Sequence, residues 1–294
     1  MKKIITNILA ALALTFTAAA QDTTVTPTSA DSTQEQTETY TTEQGMPADA
    51  AGTQAIEPGK LAQQADSAYA EDNFSLAEQL YLQAIRQDGT SSTLFYNLGN
   101  TYYRQGNLGK AIVNYERALK LDPTNTDASD NLAFVRSKIT DRQTDSSSIM
   151  EQLWNSIITM FRTNTWAWIA VTLFALFLSG LLLYVFSSVV VIKKISFFGA
   201  IIVFLLCFAS IIISFAAANR ASDNSHAVIL PPSAQLSTTP REARTQAEEA
   251  LLLHEGTKVE IVDSVATQTE GKWYEVAVGT GERAWIKASD VERI

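Results

Sequence analysis

Residues 166–192 read WAWIAVTLFALFLSGLLLYVFSSVVVI and residues 195–219 read ISFFGAIIVFLLCFASIIISFAAAN, with only Lys193 and Lys194 between them. Neither stretch contains a charged residue. A helix needs about 20 apolar residues to cross roughly 30 Å of hydrocarbon, and each stretch is longer than that. A core helix of a soluble protein would show a polar face, which neither stretch has. The sequence therefore predicts two transmembrane helices, at 166–192 and 195–218, that form a hairpin with its turn at the two lysines.

The N-terminus indicates on which side of the membrane the flanking domains lie. Met1-Lys2-Lys3, an apolar run and a group of alanines ending at Ala20 follow the order of a secretory signal peptide over 1–20. Export, followed by return through the hairpin, would place both flanks outside the cytoplasm. Lys193 and Lys194 would then face the cytoplasm, as the positive-inside rule favours. We expect a two-pass protein of the inner (cytoplasmic) membrane with periplasmic N- and C-terminal domains.

Composition and motifs exclude several functions. A net charge of −9 provides no basic face for phosphates, so nucleic acid is not an expected partner. Cys207 is the only cysteine, so no intrachain disulfide or thiolate metal site can form, and we expect it to be a small apolar residue at a helix interface. His226 and His254 lack acidic or cysteine neighbours, so we expect surface histidines and neither a metal nor a cofactor. The chain lacks HExxH, GxSxG and GxxxxGK[ST] motifs, so we expect no catalytic residue and no enzyme.

The region before the hairpin divides into two parts. Residues 21–59 are rich in Thr, Ser, Gln, Asp and Glu and cannot bury enough apolar surface to fold, so we expect a disordered acidic tether. Residues 60–140 show helical periodicity, and a shift of 34 superposes alanines and tyrosines of one half on the other. Over 92–125 the chain resembles the tetratricopeptide repeat. The resemblance rests on Phe95, Leu98, Gly99, Tyr102, Ala111, Tyr115, Ala118 and Pro123.

The resemblance implies an all-α domain with a binding groove. Residues 58–91 are a degenerate copy, and the helix after Asn125 would cap the stack. Since about three units are usually needed, we expect a partner, self-association or the membrane-proximal helix to stabilise it. The candidate groove residues are Tyr96, Asn97, Asn100, Tyr103, Arg104 and Asn131. In peptide-binding relatives such asparagines hold the main chain of a ligand; the alternative is that Asn97 and Asn131 are solvated surface residues.

Residues 149–163 place apolar side chains at helical spacing and predict an amphipathic membrane-proximal helix. Two positions are open for this helix. Its apolar face can lie on the membrane surface, or it can pack against the last repeat helix.

After the hairpin, residues 226–294 contain short β-rich runs separated by glycines and prolines. LHEGTKVEIVDS, GKWYEVAV and AWIKASDVE resemble a bacterial SH3-like (SH3b) domain, which implies a small all-β barrel with a helix or loop inserted at 241–250. The family binds cell-wall peptides or proteins through aromatic side chains. Trp273, Tyr274 and Trp285 are the candidate contacts here, although we favour a core role for each.

The order of these parts resembles the BatE proteins of the aerotolerance (Bat) operons. The resemblance implies, as partners, the von Willebrand A-type Bat membrane proteins and a MoxR-type AAA+ ATPase, in oxidative-stress tolerance. We therefore expect a multi-domain, non-catalytic, membrane-anchored scaffold with two protein-binding modules on the periplasmic face. The alternative is a cell-wall sensor whose SH3-like domain binds peptidoglycan.

Overall fold

The structure, a computed structural model, describes residues 59–141, 148–267, 271–279 and 281–294, which all fall within one compact unit. The predicted signal peptide and nearly all of the predicted tether lie outside the described residues. The described residues contain eight α-helices. They are α1 (Lys60–Ala70), α2 (Phe74–Asp88), α3 (Ser92–Arg104), α4 (Leu108–Leu121), α5 (Thr126–Arg136), α6 (Ile149–Thr159), α7 (Thr163–Phe186) and α8 (Val190–Ser222).

The first five helices form two helical hairpins and a final helix whose starts repeat along the chain. Asn73 and Asn107 cap α2 and α4, while Ser91 and Asn125 cap α3 and α5, each by accepting a backbone N–H with its side chain. The turn between α3 and α4 holds Gly106 at φ 81°, a conformation that glycine adopts without strain. The 34-residue period therefore appears in the capping residues as well as in the apolar positions.

α7 and α8 are the two described helices that are long and apolar enough to span a membrane. They pack antiparallel through small groups: Ser210 Oγ donates to the carbonyl oxygen of Trp166 at 3.1 Å, and Cys207 Sγ lies 3.5 Å from the carbonyl oxygen of Ala170. Most of their large apolar side chains face outward. Small residues that allow close approach of backbones are typical of helix pairs in lipid.

The turn of this hairpin lies earlier than the sequence suggested. α7 ends at Phe186, and Lys193 and Lys194 lie inside the first turns of α8 rather than in the connection. In the connection after α7, Ser187 Oγ accepts the backbone N–H of Val189 at 3.2 Å. The two lysines mark the end of the first apolar run but not the end of α7.

The C-terminal residues form an antiparallel sheet with the strand order β3-β2-β6-β5-β4-β1-β7. The strands are β1 (His226–Ile229), β2 (Ser233–Ser237), β3 (Glu249–His254), β4 (Lys258–Thr267), β5 (Gly271–Ala277), β6 (Arg283–Lys287) and β7 (Val291–Arg293). Residues 238–248 connect β2 to β3 as a loop. Among the described strands β3 and β7 remain the edges, so the closed barrel expected from the SH3-like resemblance is not confirmed.

The sheet packs on α4, and the two share apolar core. Val228 and Ile294 lie buried in the same cluster as Ile112 and Tyr115 of the repeat. Gly256, at φ 87°, lets the β3–β4 turn approach the helices so closely that an added Cβ would lie 2.9 Å from Ile112 Cδ1. The short repeat stack is thus extended by the C-terminal sheet, a support that the sequence had not indicated.

Candidate protein-binding groove

Hydrogen bonds between side chains join the first helices of the repeats. Tyr81 Oη donates to Asp66 Oδ1 at 2.5 Å, and Asn97 Nδ2 donates to the same oxygen at 3.1 Å. One repeat later, Asn100 stands in place of the aspartate. Its Oδ1 accepts from Tyr115 Oη at 2.7 Å and from Asn131 Nδ2 at 2.9 Å. The first set, Asp66 with Tyr81 and Asn97, joins α1 to α3. The second set, Asn100 with Tyr115 and Asn131, joins α3 to α5.

The two tyrosines of these sets keep their protons and donate to the polar side chain of the preceding helix. Burial raises the pKa of Tyr81 far above its ordinary value, and the hydrogen bond to the Asp66 carboxylate raises it further. Burial likewise raises the pKa of Tyr115. Both hydroxyls keep their protons at any physiological pH, so the inter-helix hydrogen bonds do not titrate away.

These contacts give Asn97 and Asn131 a structural role. Each amide nitrogen is engaged by the neighbouring helix, and both side chains are half-buried. Both asparagines thus contact a neighbouring helix, and their role in binding a peptide stays a prediction. A peptide clamp built on these amides would have to use their oxygens, or exchange the present hydrogen bonds for new ones.

An aromatic and basic cluster lies between the C-terminal ends of α3 and α5 and includes Lys138, just after α5. Tyr103 and Phe134 meet edge to face with ring centroids 5.8 Å apart. Lys138 Nζ donates to Tyr103 Oη at 2.7 Å and lies 4.4 Å from the centroid of Phe134. Phe134 remains 51% exposed. Aromatic surface of this kind beside a cation suits an apolar or acidic segment of a partner protein.

Sequence reasoning missed Phe134 and Lys138, although the repeat shift contained the signal. Moving 34 residues along the chain takes Asn100 to Phe134 and Arg104 to Lys138. Both fall on positions already assigned to the groove in the preceding repeat. The difference in residue type concealed the equivalence.

The remaining groove candidates are Arg104, at the C-terminal end of α3, and Tyr96, in its second turn. Arg104 pairs with Asp72 at 2.7 Å and stacks over Phe74 at 4.5 Å from the ring centroid. Tyr96 packs beside Tyr115 with ring centroids 6.1 Å apart, near Asn131. The structure therefore brings all six predicted groove residues onto one connected surface of α3 and α5, here called the groove face, to which Phe134 and Lys138 also belong.

The other helix of the repeat, α4, is occupied by contacts to the rest of the chain. Arg117 donates to Glu292 Oε1 at 2.7 Å and to the backbone oxygen of Arg293 at 2.6 Å. Lys120 donates to Asn224 Oδ1 at 2.8 Å and to the backbone oxygen of Ile294 at 3.0 Å. The C-terminal sheet and the end of α8 thus hold α4, while the groove face lies on the first helices.

Two carboxylates outside the groove face also hold the parts together. Asp122, at the end of α4, accepts a hydrogen bond from Arg162 at the start of α7, and this bond lowers the pKa of Asp122 below its ordinary value. Asp141 accepts from the backbone N–H and the Nδ1 of His254 and from Thr257 Oγ1. Burial would raise the pKa of Asp141, but these hydrogen bonds outweigh it and lower the pKa.

The aromatic candidates of the sheet are mostly inside it. Trp273 and Tyr274 are only 3% and 8% exposed, while Trp285 is half-buried. Trp273 and Tyr274 therefore present little ring surface to a ligand. The described residues contain no group of three His, Cys, Asp or Glu side chains that could hold a metal. His254 is not a free surface histidine, since it contacts Asp141.

Comparison with known proteins identifies one of these parts. The sequence model of the tetratricopeptide repeat matches residues 92–125, which cover α3, α4 and the turn to α5. No curated protein matches the chain. Tetratricopeptide repeats are a non-catalytic fold that commonly mediates protein–protein interaction, so the matched segment indicates a protein-interaction module.

Proposed function

We propose that this protein is a non-catalytic scaffold, anchored in a membrane by α7 and α8, that binds a protein partner on the groove face. The observation that carries the proposal is the division of surfaces within the matched repeat. α4 is held by the sheet and by the ends of the apolar hairpin, whereas α3 carries half-buried tyrosines and the exposed Arg104, next to Phe134 of α5, which is 51% exposed. A partner seated on α3 and α5 would be held at a fixed position relative to the membrane.

Membrane anchoring is supported by the chemistry of the hairpin. Within α7 and α8, an 18-residue stretch has a mean hydropathy of 2.5 and 2.8 respectively, and few of the side chains in these stretches are buried inside the protein. Such a surface is stable in hydrocarbon and not in water. With export directed by the N-terminal segment, the repeat and the sheet would both lie on the periplasmic face of the inner membrane.

The proposed setting is a membrane assembly of the Bat type. Support comes from the order of the parts: a repeat, a two-helix apolar hairpin and a C-terminal β domain in one chain. The proposed partners are von Willebrand A-type membrane proteins that work with a MoxR-type AAA+ ATPase. The sheet would act here mainly as a brace for the repeat, because Trp273 and Tyr274 are buried.

A photo-cross-linking amino acid in the full-length chain tests the binding surface. One variant carries the probe at Phe134 on the groove face, and the control carries it at Leu76 on α2, which is also exposed and apolar. We expect discrete protein adducts in intact cells from position 134 and none from position 76. Equal labelling at both positions, or no protein adduct at 134, would contradict the proposal.

A further inference from the structure

The helix before the hairpin, α6, leaves nearly all of its apolar side chains in the open. Ile158 is its buried residue, whereas Ile149 is 79% exposed. The other exposed apolar residues on α6 and in the three residues after it are Met150, Leu153, Trp154, Ile157, Met160 and Phe161. A contiguous apolar face of this kind marks a surface that another apolar phase covers.

This face lies directly beside the apolar hairpin. Residues 160–162 separate α6 from α7, and Trp166 of α7 bonds back through its Nε1 to the carbonyl oxygen of Ile158 at 3.3 Å. Phe161 packs edge to face on Trp166 with ring centroids 5.4 Å apart. α6 also packs against α8. The apolar face of α6 is therefore continuous with the surface of α7 and α8 that would contact lipid.

The polar side of α6 is nearly uncharged. Glu151 is the only ionisable residue in the helix, and the other polar positions are Gln152, Asn155, Ser156 and Thr159. Helices that adsorb to membranes by electrostatics carry lysine and arginine on this side. The affinity of α6 for a bilayer would therefore come from burial of apolar area and not from attraction to anionic lipids.

We propose that α6 is an interfacial helix that lies in the headgroup region of the leaflet that α7 enters, with its apolar face on the lipid tails. The inference goes beyond the proposed function and rests on its membrane anchoring. Continuity with the hairpin favours lipid over a protein as the occupant of this face. Since Arg162 at the end of this segment pairs with Asp122, the seated helix also fixes the repeat close to the membrane surface.

Lipid quenching of a fluorophore tests this position in the full-length chain. In a Cys207→Ser background, one variant carries a labelled cysteine at Leu153 on the apolar face and the matched control carries it at Ser156 on the polar face. The proteins are reconstituted in phosphatidylcholine vesicles containing lipids spin-labelled near the headgroup. We expect quenching at 153 about twofold or more stronger than at 156, with no dependence on added anionic lipid.

Two further readouts separate the possible failures. A label at 153 that is shielded from aqueous iodide but not quenched by lipid would show that a protein covers the face, and a label open to iodide would show that nothing does. Either result overturns the inference. A third label at Phe174, exposed on α7, reports on the hairpin itself. If the label at 174 is not quenched by lipids labelled deep in the acyl chain, the proposed membrane anchoring is wrong, and so is the interfacial position of α6. If the label at 174 is quenched but the label at 153 is not, only the interfacial position of α6 is wrong.

Discussion

The hydroxyl of Tyr115 donates to Asn100 Oδ1 at 2.7 Å and thereby repeats, 34 residues later, the contact of Tyr81 with Asp66 at 2.5 Å. In both repeats a tyrosine of the second helix reaches a polar side chain of the first helix, and an asparagine of the next helix donates to the same atom. The stack is thus joined by a periodic hydrogen-bond arrangement as well as by its apolar core. The groove face is built on the helices that these bonds hold in place.

Removing the Tyr115 hydroxyl should weaken the repeat. In Tyr115→Phe, Asn100 loses a partly buried donor, and the expected loss is about 1 kcal/mol of unfolding free energy. Urea unfolding of the purified protein in detergent, followed by near-ultraviolet circular dichroism, measures it. Tyr96→Phe is the control, because the hydroxyl of Tyr96 makes a single long contact of 3.4 Å to Asn131. Equal losses in both variants would contradict the assigned role.

Gly99 should tolerate no larger residue. A Cβ at this position would lie 2.8 Å from two ring atoms of Tyr115, whose side chain is fully buried and cannot move aside. We expect Gly99→Ala to lower the unfolding free energy by about 1–3 kcal/mol, despite the better helix propensity of alanine. Thr93→Ala, at an exposed position of the same helix, should change it by less than about 0.5 kcal/mol. Similar melting temperatures for the two variants would contradict the close approach of α3 and α4.

The pair of Asp122 with Arg162 should make stability depend on acid. The folded-state pKa of Asp122 lies below its ordinary value of 3.8, so its contribution is complete at neutral pH and is lost as the pH falls from about 4 through the depressed value. Since Arg162 is largely solvent-exposed, the effect should not exceed about 1 kcal/mol. Unfolding measured at pH 7 and pH 3 should differ less for Asp122→Asn than for the unsubstituted protein. An unchanged difference would assign the acid sensitivity to other groups.

Arg117 should couple the sheet to the repeat. In Arg117→Met the apolar stem remains, but the bonds to Glu292 and to the backbone of Arg293 are lost. We expect hydrogen exchange to become about tenfold faster in β7, while the strands β5 and β6 keep their protection. Arg86→Met, at an exposed position of α2, is the control and should leave β7 unchanged. Unchanged exchange in both variants would show that the apolar contacts alone hold the edge strand.

Cysteine labelling in intact cells should show the repeat and the sheet on the same side of the membrane. In a Cys207→Ser background, single cysteines replace Thr93, Lys193 and Ser289. All three positions are exposed. An impermeant reagent should label 93 and 289 and leave 193 protected. Labelling of 93 with protection of 289 would mean that only one helix spans the membrane.

The sequence by itself determined the elements whose signal is local. The apolar runs around Trp166 and Ile201 predicted α7 and α8, since spanning a bilayer depends on length and composition. The repeat could be recognised from the sequence because the packing positions of Gly99 and Tyr115 each recur 34 residues away. The residue at each copy must fit the same packing position. The same periodicity is the reason why the six groove candidates were predicted to lie on one surface.

Tertiary structure alone decided how the parts meet. Nothing local to Glu292 or Arg117 indicates that the edge strand β7 is covered by α4, because their contact joins residues far apart in the chain. The same holds for Arg162 with Asp122, which fixes the repeat at the entry of the hairpin. Contacts of this kind depend on the summed packing of whole elements, so periodicity cannot reveal them, and they determine which face of the repeat the rest of the chain leaves uncovered.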